Sequence, residues 1–338
     1  MSKKLTCVIT IGDPAGIGPE VTIKALSQNK VSSRARFIVV GSAEVLEKTA
    51  RKIHLSLPEE VPIVNTGGSG GLILGRASTL SGKLSLEYIQ TALALIREKQ
   101  ADVLVTAPVN KQAINQALLE SGQDRRSSGV LFSGHTEYLA ESFQVRNFAM
   151  MLSAGRLRVV LVTRHIALKD VPGSLTRENI YQTLSLSAAA LRESFGIRHP
   201  RIAVCALNPH AGEEGLLGSE EAEIILPAVK QAQGLADIQG PLPADTLFYL
   251  ARQGKFDAVI CMYHDQGLIP LKTFSFHKGV NITLGLPFTR TSPDHGTAYN
   301  ISGRNQANPS SMIEAIKTGI EIGHRKNRLL LHCDIRKQ

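Results

Sequence analysis

Three histidines occupy the same position relative to predicted β-strands. Each ends an apolar run: RLRVVLVTRH ends at His165, RIAVCALNPH at His210 and FDAVICMYH at His264. The carboxyl ends of parallel strands meet at one edge of a sheet, where α/β proteins bind their ligands. Imidazole is the commonest metal ligand in proteins and suits ions such as Zn better than Mg. The repeated position predicts a shared divalent-metal site, although each histidine alone is more simply explained as a loop or capping residue.

The elements that would position these histidines alternate between strand-like and helical patterns. The predicted strands are Thr6–Ile11, Arg36–Val40, Val103–Thr106, Phe148–Leu152, Val159–Thr163, Ile202–Leu207, Ala258–Met262 and Asn281–Leu284. The predicted amphipathic helices include Ser85–Lys99, Arg177–Phe195 and Ser219–Gln233. Alternation of this kind indicates βαβ units, and therefore an α/β fold with mainly parallel sheets.

The length of the chain predicts two domains, because 338 residues exceed the size of one typical core. No linker marks the boundaries, so we place them in loops near Ser133 and Gly285. The predicted first domain is 1–133 plus 285–338, and the predicted second domain is 134–284. The segment QDRRSSG, residues 123–129, is interpreted as a solvated loop.

Composition limits the partners of the protein. A net charge of +9 and a pI near 9.4 fit a solvated basic surface or an anionic ligand. Nucleic acid is not expected, because the basic residues are scattered and Trp is absent. Unclustered cysteines in apolar runs indicate a reducing compartment, which we take to be the cytoplasm. The start of the chain reads as a strand and not a signal peptide, and no run is long enough to predict a membrane span.

A second group of residues suggests anion binding. In FSGHTEYLAE, His135 and Thr136 are predicted at a helix N-terminus, where free N–H groups and the helix dipole attract anions. Lys272, Asn281 and Arg290 lie in or beside the segment LKTFSFHKGVNITLGLPFTRTSPDHGTA. Arg and Lys suit phosphate, so a phosphorylated substrate fits these residues. Ordinary helix capping and surface exposure are the alternatives.

The segment GDPAGIGPE follows the first predicted strand and is only loosely similar to a phosphate-binding loop. It is neither GxGxxG nor a Walker A sequence, and neither pattern occurs elsewhere in the chain. A tight strand-to-helix turn, with Pro19 entering the helix, is the favoured interpretation.

Several long segments together resemble the 4-hydroxythreonine-4-phosphate dehydrogenase family of vitamin B6 biosynthesis. They are ITIGDPAGIGPE, VTAPVNK, FSGHTE, LNPHAGEEGLLGSEE, GPLPADTLF, MYHDQGL and GVNITLGLPFTRTSPDHGTA. The resemblance implies a two-lobed isopropylmalate dehydrogenase-like fold with mainly parallel sheets and an interface cleft. It also implies a homodimer with a shared active site and a small phosphorylated hydroxy acid as substrate.

The resemblance assigns roles to individual residues. It implies that His165, His210 and His264 hold one divalent metal, with one of the three supplied by the partner subunit. Zn is the favoured metal, and Mg, Co and Mn are alternatives. The implied substrate-binding residues are His135, Thr136, Lys272, Asn281 and Arg290. Asp245, in LPADT, matches an acidic residue of the same site, and Lys272, Asp245 or a water on the metal are open candidates for the proton acceptor.

The resemblance also implies a nicotinamide cofactor. The larger superfamily binds the dinucleotide with a loop of the form HGxAPDIAGKGxANP, to which HGTAYNISGRNQANP, His295–Pro309, is similar in length and at both ends. The implied cofactor-binding residues are His295, Gly296, Ala298 and Asn308. Asn300 replaces the acidic residue expected to hold the adenosine ribose, which removes one basis for selecting NAD over NADP. NAD is still the favoured cofactor, and NADP is the alternative.

The expected reaction is metal-dependent oxidation of 4-phosphooxy-L-threonine to a β-keto acid, which decarboxylates to 3-amino-2-oxopropyl phosphate. Within the same family, threonate or erythronate 4-phosphate is the alternative substrate, and other relatives act on aromatic cis-diols. A zinc-dependent phosphoester hydrolase is a remote alternative from another class of enzyme. A non-catalytic sensor is disfavoured, because no additional binding module is evident in the sequence.

Overall fold

The computed structural model describes residues 4–122 and 132–335. The chain divides into two units, each with its own contacts. The first comprises Met1–Gln144 and Leu286–His324, and the second comprises Val145–Gly285 and Arg325–Gln338. The loop predicted at 123–129 lies outside the described residues. Among the residues described, no helix combines the length and the apolar character that crossing a bilayer requires.

The first unit contains five parallel strands. They are β1 (Thr6–Thr10), β2 (Arg36–Gly41), β3 (Ile63–Asn65), β4 (Val103–Thr106) and β11 (Thr289–Pro293), in the order β3-β2-β1-β4-β11. Its helices are α1 (Gly18–Leu26), α2 (Asn29–Ser32), α3 (Ala43–Ile53), α4 (Thr79–Arg97), α5 (Lys111–Glu120), α6 (His135–Ser142) and the first part of α12 (Ser310–Ile335). Strands β1 and β4 are buried along their whole length, as expected for parallel strands covered on both faces.

The second unit contains six strands. They are β5 (Ala149–Ala154), β6 (Leu157–Leu161), β7 (Arg201–Cys205), β8 (Asp237–Leu242), β9 (Ala258–Cys261) and β10 (Val280–Leu284), in the order β10-β5-β6-β9-β7-β8. Pairing is antiparallel from β10 through β5 to β6 and parallel from β6 to β8. The helices are α7 (Val171–Ser174), α8 (Arg177–Glu193), α9 (Leu226–Gln231), α10 (Ala244–Arg252), α11 (His264–Phe274) and the end of α12.

The α/β class and the mainly parallel pairing are confirmed, and each of the eight predicted strands has an observed counterpart. Three observed strands were not predicted, namely β3, β8 and β11. The sequence of β8, DIQGPL, contains a Gly-Pro pair and no apolar run, and the sequence of β11, TRTSP, is polar although all five residues are buried. Tertiary packing thus overrides local sequence preference in these strands.

The observed boundary between the units differs from the predicted break near Ser133. Residues Phe132–Gln144, including α6, belong to the first unit. The Arg97 guanidinium, at the end of α4, lies 4.8 Å from the centre of the Phe143 ring and donates a 2.9 Å hydrogen bond to the Ser142 carbonyl. These contacts attach the end of α6 to α4. The last residues of the chain, from Arg325, belong to the second unit instead of the first.

Hydrogen bonds join the carboxyl ends of the three strands that precede His165, His210 and His264. The Thr163 hydroxyl and amide, just after β6, both donate to the Met262 carbonyl after β9, at 2.6 and 3.1 Å. The buried Gln266 amide bridges the other two strands: it accepts from the Met262 amide and donates to the Ala206 carbonyl after β7, each at 2.7 Å. The three ends are therefore fixed relative to one another.

Replacing Gln266 with Leu should destabilise the protein. The substitution keeps the volume but leaves the Met262 amide and Ala206 carbonyl without their buried partner, at about 1–3 kcal/mol per group. Denaturant unfolding measures the loss of free energy. Gln182→Leu is the matched control, because Gln182 makes only an exposed pair with Glu178 on α8. Equal midpoints for the two variants would contradict the bridging role.

Candidate functional site

His165 and His264 lie side by side in the second unit. Their ring centroids are 5.7 Å apart and the ring planes are inclined by 43°. His165 follows β6, and His264 begins α11 directly after β9, which pairs with β6 in parallel. The His264 Nδ1 lies 2.7 Å from the Asp265 carboxylate. The structure therefore brings these two predicted metal ligands together.

His210 lies on an unusual turn after β7. From His210 to Glu214 every residue has positive φ, in a left-handed turn in which Gly212 is the one glycine. The His210 side chain is exposed, and its Nδ1 lies 2.7 Å from the Glu213 carboxylate. This contact raises the pKa of His210, and the Asp245 carboxylate at the start of α10 acts in the same direction.

In the part of the chain that the structure describes, no three His, Cys, Asp or Glu side chains are gathered closely enough to hold a metal. His210 therefore does not join His165 and His264 within one chain. The shared metal site of all three histidines stays a prediction, and it requires the partner subunit that the resemblance implies.

Glu221 holds the turn that carries His210. Its buried carboxylate accepts hydrogen bonds from the backbone amides of Leu207 and Asn208 at 2.8 and 2.7 Å, and from the Asn208 side chain at 2.9 Å. A carboxylate with several donors is a strong restraint on the backbone. This role of Glu221 was not predicted from the sequence, although the acidic pair at the end of LNPHAGEEGLLGSEE was the available signal.

The predicted anion-binding residues of the first unit meet at the start of α6. His135 and the buried Thr136 form its first turn, and Arg290 reaches it from β11. The Arg290 guanidinium donates to the Thr106 hydroxyl at 2.7 Å. Burial lowers the pKa of Arg290 to about 9, partly offset by Glu137, so the side chain remains cationic at neutral pH.

His135 is neutral in this setting. Burial lowers its pKa well below the ordinary value, and the nearby cations of Arg290 and Lys111 act in the same direction. Its Nε2 is shielded from solvent and makes no hydrogen bond. An unpaired buried nitrogen beside two cations is an arrangement that an anionic ligand would complete.

Lys111 belongs to this cluster but was not predicted. It begins α5, and its Nζ lies 3.3 Å from the position a Cβ on Gly134 would occupy, just before α6. Gly134 has φ +150°. Because it has no side chain, its backbone can lie this close to Lys111. The segment VTAPVNK carried the signal, because it places a cation after the buried strand β4.

The remaining predicted substrate residues lie in the second unit. Lys272 is half-buried on α11, and Asn281 is on β10 with its side-chain oxygen buried and without a hydrogen-bond partner. Asp245, in the first turn of α10, accepts a hydrogen bond from the Thr246 amide at 2.9 Å and is close enough to His210 to raise its pKa.

The segment His295–Pro309 forms a loop between β11 and α12. At the exposed Gly296, an added Cβ would meet no atom within 4 Å, so the backbone faces open space. Ala298 adopts a left-handed conformation with φ +42°, and the Asn308 side chain accepts from the Ser310 amide at 2.9 Å. An accessible glycine backbone is compatible with a dinucleotide lying against it.

Comparison with known proteins identifies the family. The model of the family described as pyridoxal phosphate biosynthetic protein PdxA matches residues 6–319. A protein of a Sulfurihydrogenibium species named 4-hydroxythreonine-4-phosphate dehydrogenase is 44% identical over 92% of this chain and 96% of its own length. A protein of Cupriavidus necator named D-threonate 4-phosphate dehydrogenase is 41% identical over 94% of this chain and 97% of its own.

A solved structure agrees with these relatives. The crystal structure of 4-hydroxythreonine-4-phosphate dehydrogenase from Klebsiella pneumoniae matches with a TM-score of 0.80 and 37% identity, covering 95% of this chain and all of the other. The family match over residues 6–319 extends through both units and spans the positions of the candidate site residues described above. The chain therefore belongs to the PdxA family of pyridoxal phosphate biosynthetic proteins.

Proposed function

We propose that the protein oxidises the secondary alcohol of 4-phosphooxy-L-threonine with NAD(P), in the biosynthesis of pyridoxal 5′-phosphate. The product is a β-keto acid, which loses CO2 to give 3-amino-2-oxopropyl phosphate. The names of the relatives support this reaction. The observation that carries it is the meeting of the buried cation Arg290, the exposed Lys111 and the neutral His135 at the start of α6, which suits a phosphate.

Each member of this group has a distinct role toward the phosphate. Arg290 supplies a charge that water does not screen, and its guanidinium geometry suits two phosphate oxygens. The positive end of the α6 dipole would favour the same anion. His135, being neutral, offers one N–H without adding charge. Thr136 completes the predicted substrate contacts at this end.

Two adjacent imidazoles in the second unit fit a divalent metal with nitrogen ligands, of which Zn is favoured over Mg, Co and Mn. His165 and His264 would come from one chain and His210 from the partner. A bound divalent metal lowers the pKa of an alcohol that it contacts. Lys272 and Asp245 are the proposed groups that orient the substrate and accept the hydroxyl proton.

The open backbone at Gly296 supports His295–Pro309 as the dinucleotide site, with His295, Gly296, Ala298 and Asn308 as the contacts. A bound nicotinamide would supply the hydride acceptor, and these residues would hold it in position. We favour NAD. NADP is the alternative, because Asn300 stands where an acidic residue would select for an unphosphorylated ribose, and that selection is absent here.

Exposed apolar side chains support a homodimer formed through the second unit. In the described residues of this unit they include Ile166, Leu168, Leu216, Leu217, Tyr249, Ile269 and Phe276. Ile166 follows His165 directly, Leu216 follows the turn of His210, and Ile269 lies on the helix that His264 begins. Apolar surface beside every predicted ligand is expected where a second copy covers the site. The buried free thiols of Cys7, Cys205 and Cys261 support a cytoplasmic location.

D-Threonate 4-phosphate is the second candidate substrate, favoured by the name of the Cupriavidus necator relative. It presents the same phosphate and a neighbouring secondary alcohol, so the cationic group at α6 would serve it equally. The two substrates differ in the amino group, and turnover must discriminate between them.

Purified protein should reduce NAD when 4-phosphooxy-L-threonine is added, and a chelator should abolish the reaction. Absorbance of NADH follows the rate, with D-threonate 4-phosphate and D-erythronate 4-phosphate as comparison substrates. A higher kcat/KM for either sugar acid would replace the proposed substrate. Release of inorganic phosphate without NADH would identify a hydrolase instead.

His210→Ala and His264→Ala should each abolish metal binding and turnover. The control His199→Ala, at an exposed histidine, should retain metal binding and turnover. A mixture of the two inactive variants, unfolded and refolded together, should recover roughly a quarter of the parental rate, because about half the dimers are mixed and one of their two sites is intact. No recovery would contradict a metal site shared between subunits.

Acidification should destabilise the protein in part through His135. Its folded-state pKa is lowered, so between about pH 7.5 and pH 5.5 the unfolded state binds the proton and the folded state does not. The slope is at most about 1.4 kcal/mol per pH unit below about pH 6.5. His135→Gln should flatten the dependence in denaturant titrations, and an unchanged slope would show that this histidine is not buried as a neutral group.

A further inference from the structure

The motif GDPAGIGPE, interpreted from sequence as a simple turn, contacts the predicted dinucleotide loop at several points. All of these contacts lie within the first unit. They join Asp13, Ala15, Gly16, Ile17 and Glu20 of the motif, and Lys24 one turn further along α1, to residues of His295–Pro309. The motif therefore does more than connect β1 to α1.

Asp13 is the centre of the first contact. Its fully buried carboxylate accepts hydrogen bonds from the Tyr299 hydroxyl at 2.7 Å, the Ala15 amide at 2.8 Å and the Ser81 hydroxyl at 3.1 Å. Burial raises the pKa of Asp13, and the hydrogen bond from Tyr299 is the strongest influence against that shift. A buried carboxylate with three donors holds the phenol in one position.

Ser302 makes the second contact. Its hydroxyl donates to the carbonyls of Ala15 and Gly16 at 2.7 and 3.0 Å. Between Tyr299 and Ser302 the backbone forms a short 3₁₀ turn. Tyr299 and Ser302 both stand where the superfamily pattern HGxAPDIAGKGxANP has residues, Pro and Ala, that lack a side-chain donor. The chain departs from the pattern at the positions that bind the motif.

Glu20 and Lys24 hold the far end of the loop. The Glu20 carboxylate accepts from the Ala307 amide at 2.8 Å and from Lys24 Nζ at 2.7 Å. Lys24 also donates to the carbonyl of Ala307 at 2.9 Å. Hydrogen bonds thus hold the loop on both sides of Arg304, from Thr297 to Ala307. The exposed Gly296 lies outside this stretch.

The loop needs such restraint because part of its backbone is strained. Ala298 and Asn305 have φ of +42° and +59°. A non-glycine residue in this region is strained and persists when surrounding contacts enforce it. Ala298, a predicted cofactor contact, directly precedes Tyr299.

We propose that Asp13, through Tyr299 and together with the Ser302 contacts, is a positioning residue that holds residues 297–303, directly after Gly296, in their dinucleotide-binding conformation before the cofactor arrives. The inference rests on the proposed function of His295–Pro309. Preorganisation removes the ordering cost from the binding step, so it affects dinucleotide affinity and leaves the bond-making residues unchanged.

Tyr299→Phe, Ser302→Ala and the double variant test the proposal, with Tyr181→Phe on α8 as the control. In the double variant, Kd and KM for the dinucleotide should rise roughly threefold to tenfold. The kcat and the KM for the phosphorylated substrate should stay within about twofold. Hydrogen exchange of residues 297–303, measured without dinucleotide, should accelerate in the double variant and not in the control.

Two results would overturn the proposal. The first is parental NADH affinity and parental exchange in the double variant. The second is a fall in kcat together with a rise in both KM values and a large drop in melting temperature, which would indicate general damage.

Gly296→Val separates this inference from the proposed cofactor site. The added side chain meets no protein atom at its Cβ, so the melting temperature should hold while NADH binding weakens at least about tenfold. Parental NADH binding by Gly296→Val would overturn the cofactor assignment and the inference together. Weakened binding in Gly296→Val with parental binding in the double variant would overturn the inference alone.

Discussion

Parallel pairing of β6, β9 and β7 is the constraint on which the candidate metal site depends. Because the three strands run in one direction, their carboxyl ends share an edge, and the residues that follow them begin close together. Hydrogen bonds from Thr163 and Gln266 join the strand ends and fix the distances between them. The 5.7 Å separation of the His165 and His264 rings follows from this arrangement.

The titratable side chains of the two candidate sites differ in their exposure to solvent. In the first unit, Arg290 and His135 are withdrawn from water, and burial pushes both toward their neutral forms. A dianionic ligand bound there, as proposed, would favour the charged form of the arginine. In the second unit, His210 and His264 keep contact with solvent and with carboxylates.

Sequence reasoning succeeded where one physical rule dominated. Long apolar runs predicted strands, and a histidine after each run predicted which residues would sit at strand ends. It failed where structure depends on distant partners. The polar strand β11 is buried because Arg290 reaches Thr106 and the Thr291 hydroxyl reaches the Ala315 carbonyl, and neither partner is near in sequence. Lys111 and Asp13 were missed for the same reason, since their roles exist through contacts with α6 and with Tyr299.

The left-handed turn after β7 reverses a familiar rule about glycine. In a helix, exchanging Ala for Gly weakens the structure, because the flexible residue loses more freedom on folding. At Ala211, Glu213 and Glu214 the backbone already lies in the region that glycine alone enters without steric cost. Every L-residue with a side chain carries this steric cost at positive φ. A mutational scan of these positions would therefore find glycine the most tolerated replacement and β-branched residues the least.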